Sequence, residues 1–499
     1  MKEVEERLRT LVRGLDGPRF VPVSRPLPLG GRSPVRLYEA LRGRTGFLLE
    51  SVEGPGGQAR YSCVGPDPAL TLELCDDGCV LSGPRELVEL AEGVDGRGVA
   101  GTLRAALSRF RGVDLPVPRF ALGFVGSFAY EFATALFRDS PVGPRRAAAG
   151  PLARLHLATD RLVIDHADRT CHIVTAPLVH PGDDPDGVLA RVERNLGHLE
   201  TAFLSVSPGD PAPPGADTRL PGGATHPDRA GFEDAVAKAI GHVHAGDCLQ
   251  VVLSRRIDLP FLGDPVTVYR ELRAGTPGPY LFLIEEKDRT IVGSSPEMLV
   301  QVEGRRVTTV PIAGTRPRGA DRGDDERLAR ELLADPKERA EHLMLVDLAR
   351  SDLGRVCETG TVTVERFMAV EKYSSVQHMV STVTGTLKNG LDRLDALAAV
   401  YPAGTVSGAP RLRAMELVEA LEDEPRGVYA GAIGHLDLVG NDLDLAIAIR
   451  TAVIQNGTAS VQVGAGIVAD SVPSREYAET EVKASGILRA LAAGAGGAA

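Results

Sequence analysis

A chain of 499 residues, 43% hydrophobic and 25% charged, has an ordinary globular composition and enough length to bury a large core. A net charge of −11, with no Lys/Arg-rich block, argues against nucleic acid as a partner. No apolar run reaches the roughly 18–20 residues of a membrane span, so no membrane association is expected.

Met1 to Arg13 alternates charge with leucine and predicts an amphipathic helix rather than a secretory signal. The cysteines at 63, 75, 79, 171, 248 and 357 are scattered and define no disulfide framework. Cys75 and Cys79 have a metal-like spacing, but no second Cys/His pair lies nearby. A reducing cytoplasm fits this usage best. Ser205 to Ala230, SVSPGDPAPPGADTRLPGGATHPDRA, is too rich in Pro, Gly and Asp for a helix or central strand and reads as a linker or long surface loop. It separates an N-terminal region, 1–204, from a C-terminal region, 231–491, and residues 492–499 form a frayed tail.

In the C-terminal region Cys248 to Leu259, Tyr280 to Glu285 and Arg305 to Val310 predict strands. Asp325 to Leu348 predicts helix, interrupted near Asp335-Pro336, where a new helix can start with proline in its first turn. Ser474 to Leu491 predicts another, with Ser474 as N-cap and Glu476 in the first turn. The strands cluster and do not alternate with helices, which points to an α+β fold.

VGAGIVAD at Val463–Asp470 imitates a dinucleotide fingerprint. That motif requires a helix to open at the glycines, whereas Pro473 follows and the remaining helix starts beyond it. The glycines are better suited to a backbone turn whose N–H groups approach an anion. A G-x-C-x-G elbow is missing, and with it a thiol for glutamine hydrolysis; G-x-S-x-G and P-loop motifs are missing too.

Glu338 and Glu341 lie three apart, as do Glu476 and Glu479. On helices each pair shares a face, so two helices can turn their carboxylates toward one Mg²⁺. Solvated helix faces, paired with Lys337, Arg339, Arg475 and Lys483, explain the same spacing.

The motifs GSSPE (Gly293–Glu297), PIAGTRPRG (Pro311–Gly319), DPKERAEHLMLVDL, YSSVQHMVSTVTG around His378, YPAGTVSGAPRLRAME (Tyr401–Glu416), IAIRT (Ile447–Thr451), QVGAGIVADS and EYAETEVKA follow in order. Together they closely resemble the large subunit, component I, of anthranilate synthases within the chorismate-utilising family. FLLESVE at Phe47–Glu53 and RYSCVG at Arg60–Gly65 resemble that subunit's feedback-inhibitor site. The resemblance covers nearly the whole chain and implies a core of antiparallel sheets forming a sandwich flanked by helices, with both halves contributing. Gln250 stands where water-adding relatives carry a basic lysine, so ammonia is the implied nucleophile. Ala313 stands where relatives that aminate the far ring carbon carry a nucleophilic lysine, which implies direct attack by ammonia at C2.

The resemblance implies further roles. Mg²⁺ is expected on Glu341 and Glu479, supported by Glu338 and Glu476. Glu297 is expected to protonate the departing hydroxyl and Thr405 to orient it, while His378 serves the elimination of pyruvate. Arg450 should hold the enolpyruvyl carboxylate. Gly464, Ala465 and Gly466 should supply N–H donors, and Gly314, Thr315 and Tyr429 complete the pocket. Ser51, Pro279, Tyr280 and Leu281 match the tryptophan site. Ammonia is expected from a separate glutamine amidotransferase subunit. Ser375, Gln377, Ser351 and His435 depart from the usual pattern and are expected near His378 or the active-site wall. They leave open a second product, 2-amino-2-deoxyisochorismate, made by amination without loss of pyruvate.

Overall fold

The computed structural model describes residues 2–51, 60–138, 140, 143–210, 222–373 and 376–495. Two antiparallel sheets carry the fold, one of 12 strands and one of 11. Neither belongs to one half of the chain. In the larger sheet, Tyr280–Glu285 pairs with Gly46–Glu50, Phe282 opposite Leu49 and Ile284 opposite Phe47. In the smaller, Ala432–Asp437 pairs with Gly123–Phe128. The segment from Ser205 to Ala230 therefore does not separate independently built halves. Its residues 211–221 lie outside the described residues, and the rest contributes a short edge strand, Ala224–His226.

Alternation along the strands builds the sandwich. Phe47, Phe282 and Ile284 pack between the sheets with Val125, Ala158 and Ile433. Leu48, Leu281 and Leu283 point the other way, into a second core. That outer core includes residues of the helices Pro34–Leu41, Pro185–Ser205, Pro265–Gly275 and Pro473–Ala495. The arrangement is the sandwich flanked by helices that the sequence implied.

Several predicted elements appear with shifted ends. The N-terminal helix is Lys2–Arg13, the strand after the linker is Gln250–Pro260, and the third is Arg306–Thr309. The helical stretch divides into Arg322–Ala334 and Pro336–Val356, and Asp335 caps the second by accepting from the amides of Lys337 and Glu338. The C-terminal helix begins at Pro473, so Ser474 lies inside its first turn and is not the N-cap. It continues to Ala495, with Ala492 and Ala493 buried, so the tail that was expected from 492 is helical through Ala495. All six cysteines are free, and among the described residues no helix is long and apolar enough to cross a membrane.

Behind the strand Gln250–Pro260, Glu422 is buried and accepts from the Ser254 amide at 2.7 Å and from Arg426 Nη2 at 2.6 Å. Arg426 is itself buried, so removing its counter-charge strands a cation in the core. Glu422→Gln is expected to lower stability by about 3–5 kcal/mol in urea denaturation, because one member of a buried pair is left uncompensated.

Candidate functional site

A cleft of about 190 Å³ is lined by Glu297, Ala313, Thr315, His378, Thr405, Tyr429, Arg450, Gly464 and Gly466 among others. Segments scattered through the second half of the sequence thus converge. Glu297 sits between the strands Thr290–Ser295 and Met298–Glu303. Burial pushes its carboxyl up to about 8, although the hydroxyl of Thr405, the backbone N–H of Ile312 and the charge of Lys483 pull it back. At neutral pH it holds its proton and can donate it.

His378 faces the same cleft from the strand Val376–Thr386. Burial lowers its pKa to about 4, so the ring is neutral. Its Nδ1 lies 3.3 Å from the Gly314 carbonyl and 2.9 Å from Thr315 Oγ1. A carbonyl can only accept, so Nδ1 carries the proton and Nε2 keeps its lone pair as a base. The bulge between Ala313 and Thr315 makes this contact possible, with Gly314 at φ +73°. A Cβ on Gly314 would lie 2.9 Å from Glu338 Oε2 and from Leu332 Cδ1, a second reason for glycine there.

Arg450 adopts φ +52°, a left-handed conformation that costs a non-glycine residue about 1–3 kcal/mol and concentrates at functional sites. Desolvation lowers its pKa, and among the described residues no carboxylate pairs with it. A desolvated, unpaired guanidinium beside a cleft is suited to a carboxylate ligand.

The glycine run lies within the strand Thr458–Ile467, not in a turn as expected. The ladder to Gln250–Pro260 pairs Ser254 with Gly464, Leu253 with Ala465 and Val252 with Gly466. On the other side the partner strand pairs only as far as Val461, which leaves the glycines an open edge. The Gly464 carbonyl accepts from Lys483 Nζ at 2.9 Å on that edge. In an antiparallel strand, N–H and C=O of one residue point the same way and alternate along the chain. Gly464 and Gly466 thus turn their amides to the cleft, while Ala465 faces the ladder and does not line it. Tyr429 explains the first glycine: a Cβ there would lie 2.6 Å from its hydroxyl. Gln250 stands just behind, its Nε2 2.4 Å from the Cβ position of Gly466, and it does not line the cleft.

Glu338 and Glu341 on Pro336–Val356 face Glu476 and Glu479 on Pro473–Ala495. Burial raises the Glu341 carboxyl, and the charges of Glu338, Glu479 and Glu476 add to the shift. Burial and the charge of Glu479 raise Glu476 as well. A crowded set of carboxylate oxygens suits a hard divalent cation. As folded, no three acidic, His or Cys groups among the described residues converge on one point. Cations of the protein stand close instead: Arg316 lies 2.9 Å from Glu338, Lys337 lies 3.7 Å from Glu341, and Lys483 lies 2.8 Å from Glu479.

Sequence reading places Lys483 only as a partner of the carboxylates and does not single out Gln462, yet both line the cleft. The signal for Lys483 was its position four residues after Glu479, on the same helix face. Of the departures from the family pattern, one adjoins His378 but turns away from the cleft, and two lie elsewhere. Gln377 is buried on the opposite side of its strand from His378, its Nε2 3.2 Å from the Pro317 carbonyl. Ser351 is exposed on its helix. His435 packs edge-on against Phe120 at 5.0 Å and lines a different cavity. Ser375 lies outside the described residues.

That other cavity, of about 400 Å³, lies between the sheets and contains Ser51, Pro279, Tyr280 and Leu281. Aromatic walls from Tyr61, Phe120 and Tyr280 stand beside Arg119, Glu50 and Asp444. Val52 and Glu53, from the motif read there, lie outside the described residues.

A family model described as chorismate binding enzyme matches residues 67–489. The anthranilate synthase component 1 of Haloferax volcanii is 44% identical, covering 92% of this chain and 91% of its own. That of Streptomyces coelicolor is also 44% identical, over 92% of this chain and 86% of its own. Among solved structures, anthranilate synthase component I from Streptococcus pneumoniae superposes with a TM-score of 0.70 at 33% identity, covering 91% of this chain and 97% of its own. The menaquinone-specific isochorismate synthase of Escherichia coli shares the fold, with a TM-score of 0.69 at 19% identity over 98% of this chain and 99% of its own. The chain belongs to the family of chorismate-binding enzymes, in its anthranilate synthase component 1 branch.

Three outcomes test the cleft. Glu297→Gln is expected to lower kcat on chorismate by about 10²–10⁴-fold, the ordinary contribution of a positioned acid. In the unaltered enzyme the same step should fail as pH rises through about 8, where the carboxyl gives up its proton, seen as an alkaline limb in the pH–rate profile. Arg450→Met should weaken binding of chorismate by about 2–5 kcal/mol in equilibrium titration, because a buried charge-assisted contact to a carboxylate is lost.

Proposed function

We propose that the protein is the aminating subunit of an anthranilate synthase, converting chorismate and ammonia to anthranilate, pyruvate and water in the first step of tryptophan synthesis. The observation that carries this reading is the opposition, within one small cleft, of a carboxyl that keeps its proton and an imidazole that stays neutral. Groups with pKa values driven apart in this way divide acid and base work between them.

In the first step the lone pair of ammonia forms the C2–N bond, the ring double bonds shift, and the C4–O bond breaks. Glu297 gives its proton to the departing hydroxyl, which leaves as water, with Thr405 orienting it. Arg450 grips the enolpyruvyl carboxylate, and the amides of Gly464 and Gly466 add donors along the open strand edge. Ala313 offers only a methyl group, so attack by a protein amine at the ring is excluded there. In the second step His378 Nε2 takes the proton from C2 and the ring becomes aromatic. The ether C–O bond breaks as a proton reaches the enolpyruvyl methylene, and pyruvate leaves.

Glu338, Glu341, Glu476 and Glu479 would hold Mg²⁺, which when bound supplies positive charge for the ring carboxylate. Ammonia would come from a separate glutamine amidotransferase subunit, since none of the six cysteines sits in a G-x-C-x-G elbow. The cavity around Ser51, Pro279, Tyr280 and Leu281 would take tryptophan as feedback inhibitor, its walls offering rings for the indole and both signs of charge for the zwitterion. Free, scattered cysteines suit a cytoplasmic enzyme.

The reading is tested by product analysis with purified protein, chorismate, Mg²⁺ and excess ammonium. Anthranilate and pyruvate are expected in equal amounts, and chelation of the metal should abolish both. Accumulation of 2-amino-2-deoxyisochorismate without pyruvate would sink the second step.

A further inference from the structure

The two cavities meet at a single peptide unit. Glu297 lines the catalytic cleft, and the next residue, Met298, lines the larger cavity between the sheets. Met298 is buried in a small apolar cluster of its own with Val310 and Val380, against which Tyr280 and Ile312 pack. Tyr280 belongs to the larger cavity and Ile312 to the cleft. The backbone N–H of Ile312 bonds the Glu297 carboxyl, so the cluster ends on the very group that holds the acidic proton.

The neighbouring run of chain repeats the arrangement. Asp444 lines the larger cavity and accepts from Tyr280 Oη at 3.1 Å. Ile447 donates to the Glu297 carbonyl at 3.0 Å, and Ile449 and Arg450 line the cleft. Between the two runs the pairing is irregular: Met298 lies opposite Ala446 and Val300 opposite Leu445, with a register shift between. A bulge of this kind leaves one residue outside the regular ladder, so it can shift without breaking the flanking pairs.

We propose that Met298, with Val310, Val380 and Ile312, transmits occupancy of the larger cavity to the Glu297 carboxyl. The proposal rests on the reading of that cavity as a tryptophan site. A ligand beside Tyr280 and Met298 repacks the cluster, the Ile312 amide moves, and the carboxyl loses its hold. Met298 and Val380 are positioning residues here, because neither touches the reacting atoms. The charged and titratable groups around Glu297 are Lys483 on the C-terminal helix, Arg450, His378 and Tyr429 across the cleft, and Asp352 on the helix behind. None of them is substituted in the variants below.

Calorimetry of tryptophan binding with and without chorismate and Mg²⁺ reads the coupling factor directly, and the pH–rate profile reads the state of Glu297. In the unaltered enzyme, coupling in the ordinary range of about 5–150-fold is expected. Saturating tryptophan should also move the alkaline limb to higher pH, because the Ile312 amide that draws the Glu297 carboxyl down is withdrawn from it. Val380→Ala, which lines neither cavity, should still bind tryptophan, with the coupling factor near one and the limb unmoved. Val310→Ala, in the same cluster and likewise lining neither cavity, carries the same expectation and serves if Val380→Ala does not fold. Full coupling in a variant that binds tryptophan would overturn the proposal. So would loss of tryptophan binding in both, since the cluster would then be part of the binding site. Tryptophan that fails to bind the unaltered enzyme would instead overturn the reading of the cavity.

Discussion

The ladder between Gly46–Glu50 and Tyr280–Glu285 joins strands more than 200 residues apart in the chain, and the rest of the architecture depends on that union. It closes the larger sheet across both halves of the sequence. The inner side chains of these strands, Phe47, Phe282 and Ile284, then have to face the second sheet, which is itself joined across the halves by Gly123–Phe128 and Ala432–Asp437. One core is shared by both halves, and the cavity of about 400 Å³ is left between the sheets.

The catalytic cleft draws its properties from what that packing excludes. Water is kept from Glu297 and His378, and the same desolvation shifts one carboxyl up and one imidazole down. Few specific partners are needed for this. Thr405 and the Ile312 amide temper the shift of Glu297, and Gly314 orients His378. Arg450, held in a left-handed conformation with no carboxylate beside it among the described residues, stores strain and unpaired charge in a place where a ligand relieves the second.

Much of this was legible in the sequence because the relevant residues lie in contiguous motifs. Glu297, His378, Thr405, Arg450 and the glycines come together, and so do Ser51 and Pro279 to Leu281. What was not legible depends on which way a side chain points. Gln377 adjoins His378 in sequence, yet strand alternation turns it to the far side. Ala465 shares a motif with Gly464 and Gly466, but its edge is spent on the ladder. His435 was assigned to the active-site wall, though its strand carries it to the other cavity. The glycines were read as a turn because Pro473 follows; the strand simply ends before it. Lys483 was read as a neutralising partner on a helix face, and its second bond, to the Gly464 carbonyl, could only be seen once helix and strand were side by side.

The carboxylates on the two facing helices have a further meaning when their resting partners are considered. Arg316, Lys337 and Lys483 are tethered counterions, supplied at no loss of translational freedom and already present before any metal arrives. Entry of a divalent cation, as proposed, would therefore be an ion exchange within the protein, in which each arriving charge would release a lysine or arginine to find another anion. Lys483 would have one within reach, because its helix places it on the wall of the cleft proposed for a dicarboxylic substrate. Loading of the metal and recruitment of the substrate would then be two halves of a single redistribution of charge.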